Sequence, residues 1–183
     1  MKNSILLALS LCALLPVVSV ATGCEEPVLI DPEVTFTLRE EIVAIGDPGM
    51  FLGIYEEQLF RPLEPSGTGT PPEIPIIYGF QGGTWLMPAV RCTGVSQTIT
   101  FTADLSGPNA EVLGHVPPSR VRLDLTPDGT LDANALPIPV ERADPENDVI
   151  EDLYGQEGHV FIQGVDASGE IISLEMAVTF IEG

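Results

Sequence analysis

The sequence predicts an all-β domain, an antiparallel β-sandwich of seven to nine strands behind a leader helix, and three observations carry that prediction. Apolar and polar residues alternate with period two in run after run, the pattern of strands with one face buried and the other solvated. The 18 glycines and 17 prolines are scattered without period and leave no run of helical length beyond the leader. Clusters of turn formers separate the runs: Gly46-Asp47-Pro48-Gly49, Ser106-Gly107-Pro108-Asn109, Pro127-Asp128-Gly129 and Asp166-Ala167-Ser168-Gly169. Many short strands at such spacing build sandwiches or barrels.

Taken in chain order, the first strand places Val34, Phe36 and Leu38 on one face and Thr35, Thr37 and Arg39 on the other. Ile42–Ile45 and Phe51–Tyr55 follow. Arg61–Pro75, which contains Ser66-Gly67-Thr68-Gly69-Thr70-Pro71-Pro72, reads as a long flexible loop. Ile74–Phe80 and Thr84–Cys92 are strands that contain Pro75 and Pro88; each proline removes a ladder donor, so these strands belong at edges or carry bulges. Ile99 and Phe101 alternate with Thr98, Thr100 and Thr102, and Val121, Leu123 and Leu125 with Arg120, Arg122, Asp124 and Thr126. His159–Val165 and Ile171–Ile181 close the chain as a hairpin.

Residues 1–23 have a different character. Lys2 is a minimal charged start, Ile5–Val20 an apolar run, and Ala21-Thr22-Gly23 the small residues of a cleavage site before Cys24. Ala21-Thr22-Gly23-Cys24 resembles the lipobox of bacterial lipoproteins. The resemblance implies lipidation of Cys24, cleavage before it, and stable anchoring through two or more acyl chains. Glu25 after Cys24, in place of the aspartate that retains lipoproteins at the inner membrane, implies the outer membrane of a Gram-negative cell. The organisation is then a signal peptide at 1–23, a lipidated tether at 24–32 and one sandwich domain at 33–183.

Without the leader the chain holds six arginines, no lysine and 27 acids. Such a surface disfavours nucleic acid and anionic lipid, and it attracts divalent cations or basic partners. The acids also keep a tethered domain soluble. With Cys12 in the leader and Cys24 lipidated, Cys92 has no partner for a disulfide, and it reads as a small buried hydrophobe.

Hydrolase and nucleotide-binding signatures are absent from the sequence, and His115 and His159 stand in no catalytic motif. Those histidines with Cys92 have zinc-ligand types but no motif spacing. No cofactor is required; calcium is the alternative, because hard oxygen ligands gather in two loops. The first holds Asp124, Asp128, Asp132 and Asn134, the second Asp144, Glu146, Asn147, Asp148, Glu151 and Asp152.

The stretch His159–Glu170, followed by Ile171–Phe180, resembles the last hairpin of bacterial immunoglobulin-like domains, where an Asp-x-x-Gly turn joins two final strands. Tyr78-Gly79-Phe80-Gln81-Gly82-Gly83-Thr84-Trp85 resembles a Gln-Gly-Gly turn of envelope lipoproteins. Its glycines suit a tight hairpin or bulge. The functional alternative is a ligand site on Gln81, Gly82 and Gly83 with Trp85 as a stacking platform. The expected function is therefore a lipid-anchored, non-catalytic binding or scaffold module of the cell envelope that meets an envelope protein or glycan. The alternatives are a calcium- or carbohydrate-binding module and, last, an enzyme.

Overall fold

The computed structural model describes residues 41–80, 82–142 and 149–183. The leader, Cys24, the tether, the predicted strand Val34–Leu38, Gln81, Asp144, Glu146, Asn147 and Asp148 lie outside the described residues. The predicted fold class is the observed one: two β-sheets packed face to face. Among the described residues no helix is long and apolar enough to cross a membrane.

Among the described residues twelve strands form, more than the seven to nine expected. They are β1 (Gly49–Glu56), β2 (Leu59–Pro62), β3 (Glu73–Tyr78), β4 (Thr84–Leu86), β5 (Ala89–Thr93) and β6 (Thr98–Ser106), then β7 (Val112–Arg122), β8 (Asp124–Leu125), β9 (Leu131–Ala133), β10 (Ile138–Pro139), β11 (Glu157–Asp166) and β12 (Ile171–Glu182). One sheet has the order β2-β1-β5-β9-β8, the other β10-β4-β3-β12-β11-β6-β7. All pairs are antiparallel except β3 with β12, which run parallel. Leu52, Val90 and Leu131 face Ile76, Leu86, Phe101, Ile162 and Phe180 in a continuous buried core.

Two of the predicted strands divide where the chain changes sheets. Thr84–Cys92 is two strands, with β4 in the seven-stranded sheet and β5 in the five-stranded one. Pro88, which has no N–H to give a ladder, stands at the crossing, and its carbonyl accepts from the Leu136 N–H at 2.7 Å. The alternation at Val121, Leu123 and Leu125 likewise spans two sheets, and the buried Leu123 is the corner between β7 and β8. Buried Gln97 holds that corner: its carbonyl accepts from the Leu123 N–H and its side-chain amide donates to the Leu123 carbonyl, both at 2.8 Å.

Pro75 departs from its expected edge position, since β3 lies between β4 and β12. The carbonyls of Pro72 and Ile76 face β12 and accept from Thr179 and Gly183. Alternation therefore turns Pro75 away from β12, and β4 pairs with β3 only from Ile76 onward, so no ladder donor is lost. Ile42–Ile45 makes a single bridge, Val43 to Ser96, in place of a strand, because only Ala44 of the four is buried. Arg61–Pro75 is shorter as a loop than expected: β2 takes its first two residues and β3 its last three. Between them, Ser66, Thr68 and Thr70 tie a turn with their hydroxyls.

The seven-stranded sheet curls until its two outer strands meet. Beyond β10, the Glu141 N–H donates to the Leu113 carbonyl of β7 at 2.6 Å. Gly114 permits the approach, because a Cβ there would lie 1.9 Å from the Pro139 carbonyl oxygen. This seam positions the candidate site.

Candidate functional site

Trp85 stands out of the core because of strand periodicity. Across β3, β4 and β10 one row pairs Ile76, Leu86 and Ile138, all fully buried, and the neighbouring row pairs Ile77, Trp85 and Pro139 on the outer face. The turn before Trp85 is closed by two backbone hydrogen bonds between Gly79 and Gly82 or Gly83. Gly83 has φ +85°, and a Cβ on it would press on the indole at 3.3 Å from Nε1. The two glycines thus stand in the turn where a hairpin was expected, and Trp85 is half-buried on the outer face rather than in the sandwich core.

A groove of about 470 Å³ opens there, lined by Tyr78, Gly83, Trp85, Pro139, Val140, Glu141, Arg142 and the segment Val149–Glu151. Its size is that of small-ligand sites. Thr84 and Val140 lock its floor reciprocally: the Thr84 hydroxyl donates to the Val140 carbonyl at 2.5 Å, and the Val140 N–H donates to the Thr84 carbonyl at 2.8 Å. The far wall is the 3₁₀ turn Ile150–Leu153, anchored by buried Leu153. The Tyr78 hydroxyl donates to Glu151 Oε1 at 2.8 Å, and Tyr154 donates to the Tyr78 oxygen at 3.4 Å. These two contacts, the Tyr154 one foremost, raise the Tyr78 pKa above the ordinary phenol value. Glu151 is lowered by its own backbone N–H and by Tyr78, which holds it as a carboxylate at the rim.

A second depression of about 290 Å³ continues the groove past β10. It shares Pro139, Glu141 and Arg142 with the first and adds Val112, Leu113, Gly114 and His115 of β7. His115 Nδ1 is 2.7 Å from Asp104 Oδ1 across the β6–β7 ladder. No protein-family model and no curated protein sequence matches this chain.

The other predicted residues lie elsewhere. Gly82 is exposed on the turn beside the groove, and Asp152 is exposed on the 3₁₀ turn next to Glu151. In the first acidic loop Asp132 is buried and faces Arg91, which donates from Nε to Oδ1 at 2.8 Å and from Nη2 to Oδ2 at 2.7 Å. Tyr55 donates a third bond to Asp132 Oδ2 at 2.5 Å, and the Arg91 guanidinium stacks on Phe60, 4.4 Å from the ring centroid. Asp128 accepts from the hydroxyls of Thr126 and Thr130, which hold its pKa down at about 2, and it lies 3.6 Å from Arg91 Nη1. Asp124 and Asn134 are exposed. The loop thus turns its best carboxylates to an arginine and two threonines, and among the described residues no three His, Cys, Asp or Glu side chains converge as metal ligands. Cys92 is fully buried, with its pKa pushed up to about 12 by burial and then by the charge of Asp132. It does not meet the exposed His115 and His159.

Sequence reasoning missed Tyr78, Glu141 and Arg142 as groove residues, Tyr154 as the partner of Tyr78, and Tyr55 and Arg91 as partners of Asp132. Arg91 had a legible signal: a cation between Val90 and Cys92 in an apolar strand demands a carboxylate within reach. Glu141 and Arg142 had none, because only the β7–β10 seam gives them a place.

Proposed function

We propose that this chain is a lipid-anchored, non-catalytic binding module of the Gram-negative outer membrane, tethered at Cys24, with the Trp85 groove as its ligand site. The observation that carries the binding role is an indole on the outer face of a sheet, in a groove with an aromatic and aliphatic floor and carboxylates at its rim. The lipobox Ala21-Thr22-Gly23-Cys24 supports the anchor. Of the alternative ligands, carbohydrate is favoured over calcium, since Trp85 and Tyr78 offer flat faces while Asp128 and Asp132 are engaged by protein partners.

The anchor is tested by Cys24→Ser in cells: the variant should stay unprocessed or leave the membrane, and a processed, membrane-retained variant sinks the proposal. The ligand class is tested by thermal unfolding of the full chain with calcium and with chelator. The midpoint should not move between the two; a rise with calcium that is lost in Asp128→Asn would restore the calcium alternative.

A further inference from the structure

We infer that the groove on either side of β10 is one continuous cleft for a linear, uncharged glycan, with Trp85 and Tyr78 in the first lobe and Val112 and His115 in the second. This inference rests on the proposed role of Trp85 as the ligand platform and adds the length and charge of the ligand. The two lobes share Pro139, Glu141 and Arg142, so they are halves of one trough that crosses the seam. A single sugar ring needs only the first lobe; a trough of two lobes in line suits a chain of rings.

The chemistry of the lining selects the class. The half-buried indole that lines the first lobe and the exposed Tyr78 ring match the apolar C–H face of a pyranose. The rim carboxylates Glu141 and Glu151 are acceptors, suited to the hydroxyl donors on a sugar's edge. An extended peptide would seek an open ladder, but the seam is already bonded from Glu141 to Leu113. Anionic polymers are opposed by the formal net charge of −20. Arg142, the one arginine in the cleft, already has an interaction of its own.

The chain supplies its own reporter, because Trp85 is its single tryptophan. The full chain, purified in detergent, is titrated with N-acetylglucosamine oligomers of increasing length, with uronic acid oligomers of the same lengths and with a proline-rich peptide, while Trp85 emission is followed and calorimetry gives the heat. The expected result is a saturable emission change with the neutral series and an affinity that rises by about tenfold or more from the monomer to the longer oligomers, as linked subsites fill. Val112→Arg, a surface change that fills the second lobe, should abolish that gain and leave monomer binding intact. Monomer binding with no gain in length overturns the two-lobed cleft and leaves the Trp85 site standing. Equal binding of the uronic series overturns the charge selection, and preferred binding of the peptide overturns the glycan class. No response to any probe overturns the cleft and the Trp85 site together.

Discussion

At the scale of single residues, two aspartates show how the same side chain takes opposite structural roles. Asp166 opens the last turn and accepts from the backbone N–H groups of Ser96, Ser168 and Glu170 and from the Ser168 hydroxyl. Burial acts to raise its pKa, but these bonds outweigh burial and hold it at about 2. The unfolded carboxyl titrates near 3.9, so the folded state binds its proton more weakly. The resulting stability, about 2 kcal/mol, is complete above pH ~4 and is lost as pH falls toward 2. Asp166→Asn should lower the urea midpoint at neutral pH and flatten the acid limb between those values. Asp132, by contrast, is the counter-ion of Arg91. Asp132→Asn leaves that guanidinium part-buried with only the exposed Asp128 carboxylate, 3.6 Å away, as a charge partner and should cost about 3 kcal/mol in urea unfolding, with little dependence on added calcium. The sequence told of the Asp166 turn because an Asp-x-x-Gly motif is local. It could not tell Asp132 from a solvated acid, since its partner is 41 positions away.

At the scale of elements, legibility follows how local each signal is. β6, β11 and β12 stand close to where their alternation places them, because each stays in one sheet along its length. β4 with β5, and β7 with β8, read as single strands because periodicity continues through a corner while hydrogen bonding does not. β2 was invisible: its two-residue turn carries Glu57 at φ 51° and Gln58 at φ 66°, where a turn of this kind normally announces itself with asparagine and glycine. Each non-glycine residue in that region costs about 1–2 kcal/mol. Glu57→Asn with Gln58→Gly should therefore raise stability by about 1 kcal/mol, seen as a higher urea midpoint at unchanged slope. The prolines of β7 were another blind spot. Pro117 and Pro118 sit at the register shift between Phe101 and Ala103, on an outer strand, where missing donors disturb no ladder.

For the whole molecule the acid excess dominates. The chain carries a formal charge of −20, most of it in the sandwich domain, where the acids repel one another and salt screens that repulsion. At neutral pH the unfolding midpoint should rise by a few degrees between low and high sodium chloride; a flat or falling midpoint would mean that local pairs such as Arg91 with Asp132 outweigh the global field. The groove belongs to this scale as well. Its glycines and tryptophan could be read from sequence, but its second half exists only because the large sheet closes on itself. That closure has a consequence for self-association. An unpaired strand border is where identical chains would stack into fibrils. Here the eleven-residue β7 is capped by β10 and the Glu141 bond at one end and stripped of donors by Pro117 and Pro118 further along. The small sheet ends in strands of four and two residues. Among the described residues the strand borders therefore offer identical chains almost no template for polymerisation.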